Sequence, residues 1–300
     1  MNYKKISLAL MGVSLLSMPL MSAAQELTGI LKKIKEKNTI VIGNRESSIP
    51  FSYLDAHQKP VGYSIDLCLK IVDAIKTEIK APNLKVEFNS VTSQTRIPLV
   101  KTGAIDLECG STTNNVERQK LASFSVNTFI ASTKLLVKKA SGIKGLEDLK
   151  GKTIVLPQGT TNERVIRRLN EEKKLGMKFI NAADMAQSFL NLETGRADAF
   201  STDDVLLAGL AANAKNSADY AVVGNPLSYE PYSIMFAKDD APLKKVVDHT
   251  LVSLMKSGEV KTIYKKWFLS PIPPKNINLN LPVSPALEKQ FNAPTDKGSE

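Results

Sequence analysis

The chain has 300 residues, is 43% hydrophobic and carries a formal charge of +10 at pH 7. That length and apolar fraction exclude a disordered or fibrous chain, and they suit two cores better than one. Lysine and arginine are spread along the sequence beside acids, with no run of five like charges. This argues against a nucleic-acid-binding stripe and for a solvated face that favours anionic ligands.

Residues 1–24 read as a secretory leader. Lys4 and Lys5 precede an apolar run from Ile6 to Met21, and Ser22-Ala23-Ala24 form a small-residue cleavage site. The apolar run is short for a membrane anchor and nothing basic follows it. No cysteine near Ala24 invites lipid attachment. The expectation is an exported, soluble chain of 276 residues (300 less 24), whose charge falls from +10 to +8 with the two lysines removed.

Beyond the leader, "TIVIG" (39–43) reads as a buried strand and "YSIDLCLKIVDAIKTEIK" (63–80) as an amphipathic helix ended by Pro82. "LKVEFNSV" (84–91), a short helix in "SQTRIPLVKTG" and a third strand in "AIDLECG" follow. The alternation restarts after Gly151, with strands in "KTIVLP", "MKFINA", "ADAFST" and "YAVVG" separated by helices near 162–174, 184–194 and 203–214. Strands alternating with helices predict parallel α/β sheets. Two extended β-rich runs, 123–139 and 230–240, lie on either side of the second unit, and helices broken by Gly258 cover 242–269. The chain thus leaves one lobe (25–130), builds a second (131–236) and returns to the first (237–300), with hinge strands near 128–135 and 232–238. The proline-rich end reads as extended chain, its last residues, "TDKGSE", disordered.

"VKTGAIDLECGST" (100–112) and "LETGRADAFSTDD" (192–204) share T-G-x-x-D with apolar residues around it. Either the two units are related, or two helix-to-strand junctions look alike. Both place polar residues at a strand's carboxyl end, where open α/β sheets bind ligands. There are two cysteines. Cys68 continues an apolar stripe with Ile65, Val72, Ile75 and Ile79, and Cys109 alternates with Ile105 and Leu107. An oxidising compartment permits a bridge between them, two buried free thiols satisfy both patterns as well, and the sequence leaves the two alternatives open. Two cysteines and two unclustered histidines offer no metal site, and no cofactor motif is present.

What remains is a set of polar clusters at element starts. In "CGSTTNNVERQK" (109–120), Asn114 and Glu117 have capping-box spacing, which sets Ser111, Thr112 and Thr113 before a helix N-terminus. Arg118, one turn in, is a two-pronged donor for a carboxylate. "QGTTNERV" repeats the device with Thr160, Thr161 and Glu163, and "STDDVLLAG" opens a helix with Asp203 and Asp204, as a cap or as a partner for an ammonium group. Arg45 follows the first strand, and Arg96 starts a short helix beside Ser93. Arg45, Arg96 and Arg118 converging on one end of one lobe would repel, and a ligand with two carboxylates would offset that repulsion.

The segments "RESSIPFSY", "VGYSIDLC", "VTSQTRIPLV", "ECGSTTNNVERQK", "LKGKTIVLPQGTT", "LETGRADAF", "DDVLLAG" and "WFLSPIPPKN" resemble the periplasmic solute-binding proteins of polar amino-acid ABC importers. The resemblance runs from about residue 27 to 295 and is strongest to the members that bind acidic amino acids. It implies a type II Venus-flytrap fold: two α/β lobes joined by two hinge strands, closing over L-glutamate or L-aspartate. It also implies a periplasmic monomer that hands its ligand to an ABC permease in the inner membrane, without nucleic acid, cofactor or catalysis. By position it assigns Ser111, Thr113 and Arg118 to the α-carboxylate, Asp203 to the α-ammonium, and Thr161 to a hydroxyl contact from the second lobe. Arg45, Ser93 and Arg96 fall to the side-chain carboxylate. Met185 stands where close relatives carry a histidine facing that same carboxylate. Methionine donates no hydrogen bond, which leaves the order among glutamate, aspartate and their amides open. Two other readings fit such a fold: a dehydratase-like enzyme, or a sensor or adhesin built on the same lobes. An enzyme needs an acid or base in the cleft, and neither His57 nor His249 stands in a cleft-forming segment.

Overall fold

The T-G-x-x-D repeat has one structural job in both halves of the molecule, which the computed structural model describes over residues 27–300. The expected leader and its cleavage point lie outside the described residues. Gly103 (φ 70°) and Gly195 (φ 74°) end the helices Arg96–Lys101 and Met185–Glu193 in the left-handed conformation that stops a helix. The aspartate three residues later then ties the new strand to its central neighbour. Val41 N–H donates to Asp106 Oδ2 at 2.8 Å, and Thr153 N–H donates to Asp198 Oδ2 at 2.8 Å. The backbone repeats the match, with Asp106 and Asp198 N–H donating to the carbonyls of Val41 and Thr153. The two lobes are variations on one unit.

In the first lobe Thr39–Asn44 is central, parallel to Lys85–Ser90 and to Leu107–Glu108. Met235–Phe236 then adds antiparallel to Leu107–Glu108 and pairs with Ser123–Phe124 at the edge. In the second lobe Lys178–Ala182, Thr153–Pro157 and Ala199–Asp203 are parallel, while Thr133–Lys138 runs antiparallel between Ala199–Asp203 and Tyr220–Val223. The expectation of all-parallel sheets is therefore corrected. A strand arriving from the other lobe enters its sheet from the opposite end and so runs against the strands already there.

Between the lobes the two crossings pair as a short antiparallel ribbon, Phe129–Ala131 with Glu230–Tyr232. It is narrower than the expected hinge, because Thr133–Lys138 and Met235–Phe236 already belong to the two sheets. Aromatic packing anchors the ribbon to the first lobe. Phe129 stacks on Phe268 at 5.2 Å between centroids, and Phe51 meets Phe129 and Tyr232 edge-on at 4.8 and 5.1 Å. The ribbon thus rests on an apolar base in the first lobe.

The stripe Ile65, Cys68, Val72, Ile75 and Ile79 is buried as its spacing predicts, on and just past the helix Tyr63–Glu78. Of the two alternatives for the cysteines, the structure has the bridge. Cys68 and Cys109 form a disulfide that closes a 41-residue separation. Periodicity showed that each faces a core, but it carries no information that both face the same point. The reading of the C-terminal segment is also corrected. Ser284 caps a helix at Pro285–Asn292, with Pro285 at its first position. The final residues then lie along the loop at 114–116. Ser299 N–H donates to Asn114 O, and Val116 N–H donates to Ser299 O, both at 3.0 Å.

Reducing the disulfide should lower the unfolding free energy by about 2–4 kcal/mol, because it removes the cross-link's restriction of the unfolded chain. Urea titration with and without reductant measures this. An unchanged midpoint would show that the helix and strand hold their places without the bond.

Candidate functional site

The polar clusters at the strand ends meet where the lobes face each other. Arg45 follows the strand Thr39–Asn44, Arg96 opens the helix Arg96–Lys101, and Asp203 ends the strand Ala199–Asp203. A small enclosed cavity is lined by Arg45, Ser93, Arg96, Ser111, Thr113, Thr160, Thr161, Asn162, Met185 and Asp203. With the lobes in this arrangement it has room for about one water molecule. Eight of the nine site residues expected from the sequence line it. The ninth, Arg118, is buried beside it and is not among the lining residues. Its Nη1 donates to Thr113 O at 2.9 Å, and its Nη2 reaches across the lobes to Gly159 O at 3.2 Å. Gly159 has φ 76°, and a Cβ there would stand 2.9 Å from Gln94 of the first lobe, so the close approach needs glycine.

Burial presses on the charges. It lowers the Arg45 guanidinium to about 10, helped by Arg96 and opposed by Glu108. It lowers Arg118 to about 9, helped by Arg96 and Arg164, and lowers Arg96 as well. Arg45 Nη1, Arg96 Nε and Ser111 Oγ have no hydrogen-bond partner among the described residues. Asp203 moves the other way. Burial and then the charge of Glu230 push its carboxyl up to about 8, although Tyr232 Oη–H (2.5 Å) and Asn162 Nδ2–H (2.8 Å) donate to it. Asp203 stands at the N-terminus of the helix Asp204–Asn213, yet its side chain makes no capping bond.

Two capping expectations separate here. Thr160 caps its helix as read, accepting from Glu163 N–H at 3.1 Å while Glu163 Oε2 accepts from Gly159 N–H. The cap before Arg118 is Asn115 rather than Asn114: its Oδ1 accepts from Arg118 N–H at 2.8 Å. Asn114 instead donates to Asn127 Oδ1 and to Asp296 O, holding the C-terminal segment. The register slipped by one because both positions are asparagine.

Sequence reasoning missed the acids. Glu108 is fully buried beneath the arginines, and Thr112 links it to them: Arg96 Nη1 donates to Thr112 Oγ1 at 2.6 Å, which donates to Glu108 Oε2 at 2.5 Å. A Cβ on Gly110 would meet both Glu108 Oε1 and Arg45 Cγ, so the neighbouring glycine lets acid and guanidinium approach. Glu230 sits on the hinge ribbon and accepts from Thr113, Thr161 and Ser228. The available signal was an acid inside an otherwise apolar strand, as in "DLECG" and "EPYSIMF". Across the cleft mouth Glu117 pairs with Arg164. Among the described residues no group of His, Cys, Asp and Glu is arranged to hold a metal ion, and no helix is long and apolar enough to cross a membrane.

Residues 40–270 match the family described as bacterial extracellular solute-binding proteins, family 3. The chain is 54% identical to the L-glutamate/L-aspartate-binding protein of Pseudomonas aeruginosa over 288 residues, 96% of this chain and 95% of that one. It is 48% identical to the glutamate/aspartate import solute-binding protein of Escherichia coli, covering 92% of this chain and 91% of that one. Among solved structures, an ancestral arginine-binding protein bound to glutamine superposes with a TM-score of 0.70 at 31% identity, covering 77% of this chain and 98% of that one.

The buried charges generate a stability test. Glu108→Leu should cost roughly 3–5 kcal/mol, because Arg45 and Arg96 lose their deepest counter-charge without leaving the interior. Urea unfolding measures it, and a loss below about 1 kcal/mol would show that Glu108 does not balance the arginines.

Proposed function

The chain belongs to the bacterial extracellular solute-binding proteins of family 3, and we propose that it is the periplasmic receptor of an ABC importer for acidic L-amino acids, glutamate and aspartate. One observation carries the ligand class. A single small cavity gathers two buried guanidiniums with unpartnered donors, the unpartnered hydroxyl of Ser111, and one buried carboxylate, Asp203. An acidic amino acid brings two carboxylates and one ammonium, the complement of that set. The names of the relatives above support the same ligands.

In this reading Arg45, Ser93 and Arg96 hold the side-chain carboxylate, with Met185 as an apolar wall beside them. Ser111 and Arg118 take the α-carboxylate, and Asp203 and Thr161 take the ammonium side. Thr113, expected on the α-carboxylate, lies between these groups. Opening the lobes releases Arg118 Nη2 from Gly159 and frees it for the ligand. The lobes divide at the ribbon Phe129–Ala131/Glu230–Tyr232, with Met235–Phe236 on the first lobe's side. The leader is removed near Ala24, and the mature monomer delivers its ligand to a permease in the inner membrane. Binding occurs without turnover in this reading: His57 and His249 are both exposed and away from the cavity, and Asp203, the acidic group that lines it, serves as the partner of the ligand's ammonium.

Calorimetric titration should give 1:1 binding of L-glutamate and L-aspartate, at least roughly 100-fold tighter than glutamine or asparagine, because an amide leaves buried guanidiniums unpaired. Equal affinity for glutamine would remove the two-carboxylate reading.

The raised carboxyl of Asp203 makes uptake proton-linked. Its value of about 8 exceeds the ordinary 3.8, so this arrangement favours the neutral acid at pH 7, and the cost of ionising it persists up to about pH 8. A ligand ammonium placed against Asp203 favours the ionised form, so binding at pH 7 should expel roughly one proton. Titrations in buffers of different ionisation enthalpy measure that number. A value of zero would show that no cation seats at Asp203.

A further inference from the structure

Glu230 is buried, belongs to the hinge ribbon, and is absent from the lining of the ligand cavity, yet it controls two residues that line it. Thr113 Oγ1–H from the first lobe and Thr161 Oγ1–H from the second both donate to Glu230 Oε2, at 2.7 and 2.6 Å. Ser228 Oγ–H donates to Oε1 at 2.6 Å. Glu230 lines a separate, larger cleft with Thr161, Ser228 and Tyr229, so Thr161 stands between that cleft and the ligand cavity. The carboxylate therefore approaches the two hydroxyls from behind.

Hydroxyl chemistry gives this arrangement a consequence. A threonine hydroxyl has one proton and two lone pairs, and a carboxylate only accepts. With both protons committed to Glu230, Thr113 and Thr161 have only lone pairs left for the cavity. Their 3.4 Å separation fits two oxygens whose protons are directed elsewhere. Asp203 faces the same cavity and accepts from Tyr232 and Asn162 behind it. Three acceptors thus converge where the ligand presents its nitrogen.

We propose that Glu230 is a specificity-determining positioning residue: by taking the protons of Thr113 and Thr161 it turns both hydroxyls into acceptors, so that the cleft demands a free α-ammonium and rejects the same dicarboxylate without it. This rests on the amino-acid reading above and moves Thr113 from the α-carboxylate to the ammonium. A lone Asp203 would attract any cation. Two hydroxyls locked as acceptors add a directional requirement for N–H donors, and they lie on opposite lobes, so it is complete only on closure.

The test titrates the full mature protein with L-glutamate, glutarate and 2-oxoglutarate, in the parent and in Glu230→Gln. The parent should prefer glutamate over either deaminated acid by at least roughly 100-fold, since a site built for a donor rejects the analogue lacking it. Glutamine keeps the shape of Glu230 but has one acceptor oxygen and no charge, so its hold on the hydroxyl protons of Thr113 and Thr161 is weakened whichever way the amide faces, and one of the three donors, Thr113, Thr161 or Ser228, is released or displaced. Glu230→Gln should lose about 10- to 100-fold for glutamate and little for glutarate, collapsing the ratio by at least about tenfold. Thr161→Val supplies a second measurement that leaves Glu230 in place, and it should also weaken glutamate more than glutarate. A parent that fails to bind glutamate overturns the amino-acid reading itself. A parent that binds glutamate, with the glutamate-to-glutarate ratio unchanged in Glu230→Gln or both ligands weakened equally by Thr161→Val, overturns the role of Glu230 alone.

Discussion

Three guanidiniums buried at one interface are the constraint from which the rest of this structure follows. Arg45, Arg96 and Arg118 each lie within a few per cent of full burial, and each has its pKa lowered by that burial. Such charges persist only if something opposes them. Two buried acids do so, Glu108 below Arg96 through Thr112 and Glu230 on the hinge, while Asp203 across the cavity is held toward its neutral form by burial. The opposition is incomplete at the atomic level, since Arg45 Nη1 and Arg96 Nε remain unpartnered among the described residues. A site whose buried guanidiniums outnumber its ionised acids, and whose donors lack partners, is a site built for an anionic group.

Architecture delivers those residues through repetition. Each lobe ends a helix on a glycine, ties the next strand with an aspartate, and releases polar residues at that strand's carboxyl end. Two copies of the device face each other across a ribbon three residues long on each side. The aromatic cluster around Phe51, Phe129 and Phe268 fixes one end of that ribbon, and Tyr232 extends from it to Asp203. Glu230 and Tyr232 thus belong both to the hinge and to the chemistry of the cleft. The two lobes and the hinge share one hydrogen-bond cluster, because Thr113 and Thr161 meet Glu230 from opposite lobes.

Much of this was legible in the residues alone, for a local reason. Alternating apolar strands, amphipathic helices and small polar residues at their junctions are short-range patterns; together with the family resemblance, which alone singled out Met185, they pointed to nine residues, eight of which are among the ten that line the cavity. Arg118 was recognised as a buried donor, but its present partners, the carbonyls of Thr113 and Gly159, depend on how the second lobe docks. The Asn114/Asn115 ambiguity shows the limit of local pattern: two adjacent asparagines are equally good caps, and only the position of the Arg118 N–H decides between them.

The sequence by itself determined the two-lobed α/β plan, the clustering of hydroxyls and arginines at strand ends, and the family resemblance. Tertiary structure alone decided which pairs of residues distant along the chain coincide. Cys68 met Cys109, the C-terminal residues lay down on the loop at 114–116, and the strand Thr133–Lys138 turned antiparallel. Above all it decided where the acids went. Glu108 and Glu230 read as isolated charges in apolar strands, and periodicity records which face a side chain takes, never what stands opposite it. Charge compensation in a buried cleft is a property of distance in space, and only the packed lobes set that distance.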